Sequence, residues 1–131
     1  MKKLLWFVLA CLFPLSAIAA VQVGPNLKVV DGDTVRYYKT YIRAWGYDSP
    51  NIGRFAKCEK ERALGEKAKA KLIKLMSAPH EPSVYWEKGQ DMYGRRKGWL
   101  YSDGERVDRI MINAGLAKAW GGRTAKPNWC R

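Results

Sequence analysis

Histidine is almost absent from this chain: of 131 residues only His80 carries an imidazole. There are three cysteines and no Cys-x-x-Cys pair, so the spacing of a zinc site is missing. His80 falls between Pro79 and Pro82, in a loop where it is expected to be solvated rather than catalytic. Acidic residues are scarce too, 12 against 24 lysines and arginines, for a formal charge of +12. Such an excess points to a polyanionic partner, which charge alone leaves open among nucleic acid, a membrane surface and a polysaccharide. The chain has one long apolar run, Leu4 to Ile18, directly after Met1-Lys2-Lys3. It is short for a membrane span and ends in the small-x-small pattern Ala17-Ile18-Ala19. Residues 1–20 therefore read as a secretory signal peptide, and 21–131 as a single exported domain, periplasmic or extracellular, with a modest core. Lipidation at Cys11 is the rival reading of the same segment.

Loss of the leader removes Lys2 and Lys3 and lowers the charge from +12 to +10. It also leaves two cysteines, Cys58 and Cys130. In an oxidising compartment such a pair is expected to be bridged. The bond would close a loop of about 70 residues and contribute roughly 4 kcal/mol.

What the chain does have is a run of short β-branched and aromatic stretches separated by turn signals. Leu27 to Val30, Thr34 to Tyr38 and Tyr41 to Gly46 read as a three-strand meander. In the third, Ile42, Ala44 and Gly46 alternate against Tyr41, Arg43, Trp45 and Tyr47, which places Arg43 and Trp45 on one face. Glu61 to Met76 has a helical stripe of Leu64, Ala68, Leu72 and Leu75 or Met76. Its opposite face carries Glu66, Lys67, Lys69, Lys71 and Lys74, a pattern that suits a solvated helix surface. Pro79 and Pro82 break this helix. Ser83 to Lys88 and Gly98 to Tyr101 read as further strands, and Val107 to Ala114 as a second helix stopped by Gly115.

Two stretches carry the chemistry. Asp31-Gly32-Asp33-Thr34 is a turn at a strand corner, and Arg43 precedes Asp48-Ser49-Pro50 by one strand length. If the two strands are neighbours, Asp33 and Asp48 converge. Paired carboxylates suit Ca²⁺ or Mg²⁺, and a nearby guanidinium suits a phosphate.

With Asp91-Met92-Tyr93-Gly94-Arg95 downstream, residues 27–120 resemble the thermonuclease (staphylococcal nuclease-like) family. The resemblance implies an α+β, mainly β fold: a five-stranded OB-type barrel with one inserted helix and a second helix. A short C-terminal tail stands where the family has a full third helix. It further implies Ca²⁺ held by Asp33, Asp48 and the backbone of Ser49, with Asp31 orienting the turn. Arg43 and Arg95 would grip the phosphate and Tyr93 would contact the nucleotide. The implied activity is a secreted Ca²⁺-dependent endonuclease, cleaving DNA and RNA with low sequence specificity. It would favour single-stranded or frayed substrate, act as a monomer, and need no membrane once the signal is removed.

One position departs. The family's Glu after the proline, the residue that would take a proton from water, is Asn51. An amide can orient water but cannot be the base. Three accounts follow: Glu59 or Glu61 swings in, or metal and arginines sustain a slower nuclease, or catalysis is lost. In the last case the domain only binds nucleic acid, with Tyr93, Trp45 and Trp120 as stacking platforms.

Overall fold

Short strands need partners, and here most of them find them in one curled sheet. The computed structural model describes residues 21–22 and 24–131. The proposed signal segment, Cys11 included, lies outside the described residues. The strands are β1 (Val21–Gln22), β2 (Leu27–Val29), β3 (Thr34–Tyr37), β4 (Thr40–Ala44), β5 (Tyr47–Asp48), β6 (Pro82–Trp86), β7 (Arg96–Ser102), β8 (Glu105–Arg106) and β9 (Lys118–Ala119). The helices are α1 (Glu59–Leu75) and α2 (Val107–Asn113).

The main sheet runs β1-β6-β7-β4-β3-β2, with β8 on β7. All its pairings are antiparallel except β4 with β7, which are parallel with Ile42 opposite Arg96 and Ala44 opposite Gly98. The result is an open, strongly curled half-barrel with two helices and a short C-terminal tail. The resemblance implied a five-stranded barrel. Among the described residues the paired strands end on β1 and β2, consecutive pieces of chain interrupted by a 3-10 turn, Gly24–Asn26. Pro25 in that turn has no N–H to give to a ladder, which is a physical reason for the break.

Val35, Ile42, Ala44, Val84 and Leu100 line the inside of the curl against Ala68, Leu72, Leu75 and Met111 from the helices. On α1 the buried stripe is Glu61, Gly65, Ala68, Leu72 and Leu75. It matches the expected period but begins at Glu61, with Leu64 only half-buried. Gly65 is there for contact: a Cβ would lie 2.2 Å from the carbonyl oxygen of Asn51, so α1 packs directly on that backbone. Cys58 is the N-cap residue of α1, its Sγ accepting from the Glu61 N–H, and is bonded to Cys130 as expected. At the other end, the Ser102 hydroxyl donates to the Leu75 carbonyl at 2.6 Å.

The chain reading placed Tyr47 on the Arg43 face. In the fold, β4 ends at Ala44, Gly46 turns the backbone at φ +88°, and Tyr47 enters the core at 1% exposure. β5 then pairs with β9, Asp48 opposite Lys118, a contact the sequence pattern does not announce. His80 is at the surface, its Nδ1 2.6 Å from Asp103 Oδ2. No helix among the described residues is long and apolar enough to cross a membrane.

Candidate functional site

The turn after β2 closes on itself. The Asp33 N–H donates to Asp31 Oδ1 at 3.0 Å, since an aspartate carboxylate commonly accepts from the backbone N–H two places on. Between them, Gly32 lets this turn sit against the loop after β5. A Cβ on it would meet Ser49 Oγ at 2.6 Å, and its carbonyl accepts from the Tyr47 hydroxyl at 2.8 Å. The two halves of the proposed site are thereby brought together. Asp33 Oδ2 accepts from both the Ser49 N–H at 3.1 Å and the Ser49 hydroxyl at 3.0 Å.

Arg43 projects from β4 into the same space. Its Nη1 donates to the carbonyls of Ala44 and Tyr47 at 2.8 and 3.0 Å. Its Nη2 lies 3.4 Å from Asp33 Oδ2 and 3.3 Å from Asp48 Oδ1. The far oxygen of Asp48 accepts from the indole Nε1 of Trp129 at 3.1 Å. The Trp120 ring covers the guanidinium, 5.4 Å from its centre. Exposure is 6% for Arg43, 7% for Asp33 and 3% for Asp48, so all three charges are withdrawn from water.

One guanidinium thus faces two buried carboxylates, with a third close by. Burial is the main cause that raises the pKa of Asp48, helped by Asp33 and opposed by Trp129 and Arg43. Burial and then the Asp33 charge push Asp31 up to about 6. The cluster holds more negative charge than Arg43 neutralises, a setting that welcomes a further cation. Among the described residues there is no group of three or more His, Cys, Asp or Glu arranged around a metal position. A hard cation here would be met by Asp33 and Asp48, and its remaining ligands would be backbone, hydroxyl or water oxygens.

Two clefts flank the cluster. One, about 480 Å³, is lined by Arg43, Trp45, Tyr93, Arg95, Trp120 and Lys126 among others. The second, about 620 Å³, is lined by Asp48, Asn51, Lys57, Glu61, Lys126 and Trp129 among others. The structure therefore brings Arg43, Asp33, Asp48 and Ser49 to one point. Tyr93 and Arg95 stand on one side of it and Asn51 on the other. Arg95 belongs to a loop closed by Asp91, whose Oδ1 accepts the N–H groups of Tyr93 and Arg95 at 2.9 Å each. Asp91 Oδ2 accepts from Arg95 Nε at 2.8 Å. Tyr93 is 75% exposed, with the Arg95 guanidinium over its ring.

The two glutamates named as substitute bases are engaged elsewhere. Glu61 is buried, its carboxylate accepting the backbone N–H groups of Asn51 at 3.2 Å and Lys57 at 2.7 Å. Exposed Glu59 pairs with Arg62. Trp45 stacks on Trp99 as well as reaching the first cleft. Trp129 and Lys126 are the residues that sequence reasoning missed. The only cue to Trp129 was its place beside Cys130, whose bridge fixes where the tail runs.

Among known protein families, the model described as Staphylococcal nuclease homologue (SNase) matches residues 41–128 of this chain. The matched stretch contains Arg43, Asp48, Asn51, Tyr93 and Arg95, while Asp31 and Asp33 precede it.

Proposed function

Because this chain belongs to the staphylococcal nuclease homologue family, we propose that it is a Ca²⁺-dependent phosphodiesterase that hydrolyses DNA and RNA with low sequence specificity. The observation that carries the reading is the convergence of Asp33 Oδ2 and Asp48 Oδ1 on a single cationic atom, Arg43 Nη2. A pure binding module has no use for two buried carboxylates at the foot of a basic cleft. Asp33, Asp48 and the Ser49 carbonyl would hold Ca²⁺. When bound, the ion supplies positive charge for the phosphoryl oxygens and makes water more acidic.

The chain's own residues do the rest. Arg43, anchored by two backbone carbonyls, presents a fixed positive charge to the phosphate where negative charge grows during in-line attack. Arg95 spends only Nε on Asp91, which leaves both Nη groups for a forked grip on phosphate oxygens. Tyr93, exposed beside it, stacks or packs on the nucleotide. Asn51 orients the attacking water by accepting a hydrogen bond and takes no proton from it. Since Glu61 is committed to two backbone N–H groups, we favour a slower nuclease that works without a dedicated carboxylate base. The same reading includes export after loss of residues 1–20, action as a monomer, and closure of the half-barrel into the family's OB-type barrel.

The test is digestion of plasmid and single-stranded DNA, and of RNA, by purified protein with Ca²⁺ or with EGTA. Cleavage in Ca²⁺ that EGTA stops supports the reading. Tight binding of single strands without cleavage would favour the alternative of an inactive nucleic-acid-binding module.

A further inference from the structure

Asp48 is gripped on both carboxylate oxygens, and the second grip comes from the tail. Residues 120–131 form no helix or strand, and 121–126 are exposed. Within that arm Trp129 is the buried residue, at 6%. Its indole N–H donates to Asp48 Oδ2 at 3.1 Å, and Lys118, opposite Asp48 on the paired strand, lies over its ring. The next residue, Cys130, is bonded to Cys58 at the start of α1. The arm has other ties as well. Lys60 Nζ donates to the Arg131 carbonyl and the Cys130 N–H to Asn128 Oδ1. The Trp120 backbone N–H donates to the Gly46 carbonyl at the root of the arm and its indole N–H to the Thr124 carbonyl, while Arg43 and Lys126 lie over the Trp120 ring.

We propose that Trp129 is a positioning residue for Asp48, and that the Cys58–Cys130 disulfide makes this positioning conditional on oxidation. The proposal rests on the reading of Asp48 as a Ca²⁺ ligand. The indole holds Oδ2, which fixes the carboxylate's rotation so that Oδ1 faces Asp33 and Arg43. Outer hydrogen-bond partners of metal ligands typically contribute 10- to 100-fold in affinity. A planar indole can do this only while its arm is docked.

Cys130 is exposed and Cys58 half-buried, so a thiolate can reach the bond. One thiolate of a dithiol reductant attacks one sulfur, expelling the other cysteine as a thiolate and forming a mixed disulfide. Its second thiolate then attacks the reductant's own bonded sulfur and expels the remaining cysteine. The dithiol leaves as a cyclic disulfide. Two electrons pass to Cys58 and Cys130, each of which takes up one proton and ends as a thiol. The arm is then held by Trp129 and its non-covalent contacts alone, and Oδ2 is left to rotate.

The experiment uses calorimetric Ca²⁺ titration together with exchange of the Trp129 indole N–H followed by NMR. In the oxidised wild type without Ca²⁺ the indole N–H should be protected. Reduction by dithiothreitol should remove the protection at least tenfold, as should Asp48→Ala. Trp129→Phe keeps the ring and loses the donor. It should weaken Ca²⁺ binding about tenfold or more while its melting temperature stays close to that of the wild type. Dithiothreitol should weaken Ca²⁺ binding of the wild type by a similar factor and add little in Trp129→Phe.

A Trp129→Phe protein that binds Ca²⁺ as tightly as the wild type overturns the positioning role. Equal loss on reduction in both proteins overturns the coupling of the disulfide to Trp129, and so does an unprotected indole in the oxidised protein. A wild type that binds no Ca²⁺ overturns the metal reading itself, and the affinity effect with it.

Discussion

Two aspartate–arginine pairs flank the same cleft, and they could hardly be set more differently. Arg43 reaches Asp33 and Asp48 across three elements, in a place where all three side chains are buried. Arg95 reaches Asp91 within one loop, four residues apart, with its side chain 28% exposed. The charges respond in opposite directions. Burial raises the pKa of Asp48 despite its bonds from Trp129 and Arg43. Burial also pushes Asp91 upward, but the N–H groups of Arg95 and Tyr93 and the Arg95 side chain together hold it below the ordinary value. The first pair is an under-neutralised cluster with a use for another cation. The second is a satisfied loop clasp that keeps an arginine within reach of a substrate. One cleft thus combines a rigid, buried jaw and a more exposed one.

The largest break in this comparison should come from the rigid jaw. Asp33→Ala and Arg43→Ala should each lower nuclease turnover by roughly 10²-fold or more, the scale of a lost transition-state charge partner. Arg43→Ala should also destabilise the protein by about 3–5 kcal/mol, because two buried carboxylates lose their counter-ion. Urea melts should recover part of that loss when Ca²⁺ is added. Unchanged turnover in either variant would remove the cluster from the active site.

Arg95→Ala should cost less, about 10- to 100-fold, the worth of a charged hydrogen bond at the surface of the cleft. Its urea midpoint should stay near that of the wild type, since its clasp lies within one loop and leaves no fully buried charge unpaired. A midpoint shift as large as that of Arg43→Ala would erase the distinction between the two jaws.

Asn51→Glu should raise turnover at least tenfold, toward the roughly 10²- to 10⁴-fold typical of a positioned general base, with little change in substrate binding. Steady-state kinetics on a single-stranded oligonucleotide would check it. Glu61→Gln should not lower turnover by removing a base. It should lower stability, because one of the acceptors for Asn51 and Lys57 becomes a donor. A Glu61→Gln protein of native stability and abolished turnover would restore Glu61 as the base.

The smallest effect is in pH dependence. A carboxyl whose pKa is higher in the folded than in the unfolded state binds more protons when folded, so its contribution declines as pH rises. Asp31, raised from 3.8 to about 6, should therefore make the metal-free protein lose stability between about pH 4 and 6. Asp91, lowered, acts in the opposite sense: its contribution is present above its unfolded pKa and is lost as pH falls below it. Asp31→Asn should flatten the upper slope in thermal melts, and Asp91→Asn the lower. If both variants kept the wild-type profile, burial would not govern these groups.

Much of this was legible in the chain because it depends on local patterns. The Asp31–Asp33 turn, the three-strand meander and α1 each announce themselves through turn residues or period. The cysteine pair followed from counting. What escaped depends on contacts between distant short pieces. β5 and β9 have two residues each, too few for any alternation, yet their pairing seats Asp48 beside Lys118. Tyr47 changed face because Gly46 adopts a backbone conformation that ends the alternation. Glu61 looked like a free carboxylate, since nothing in the sequence tells that two unpaired backbone N–H groups of the preceding loop would claim it.

The parallel pairing of β4 with β7 works as a ruler. Arg43 lies on one strand, opposite Lys97, and Arg95 immediately precedes the other. The distance between the jaws is thus graduated in steps of a hydrogen-bonded ladder and is independent of how long the intervening chain is. Insertions in the exposed turn between Ser77 and Glu81 leave that setting alone. One residue added between Arg95 and Gly98 shifts the mark by about 3.3 Å and turns the side chain to the opposite face. The spacing of the two arginines is therefore set by three residues of β7, and length variation should be tolerated in the exposed loops sooner than there.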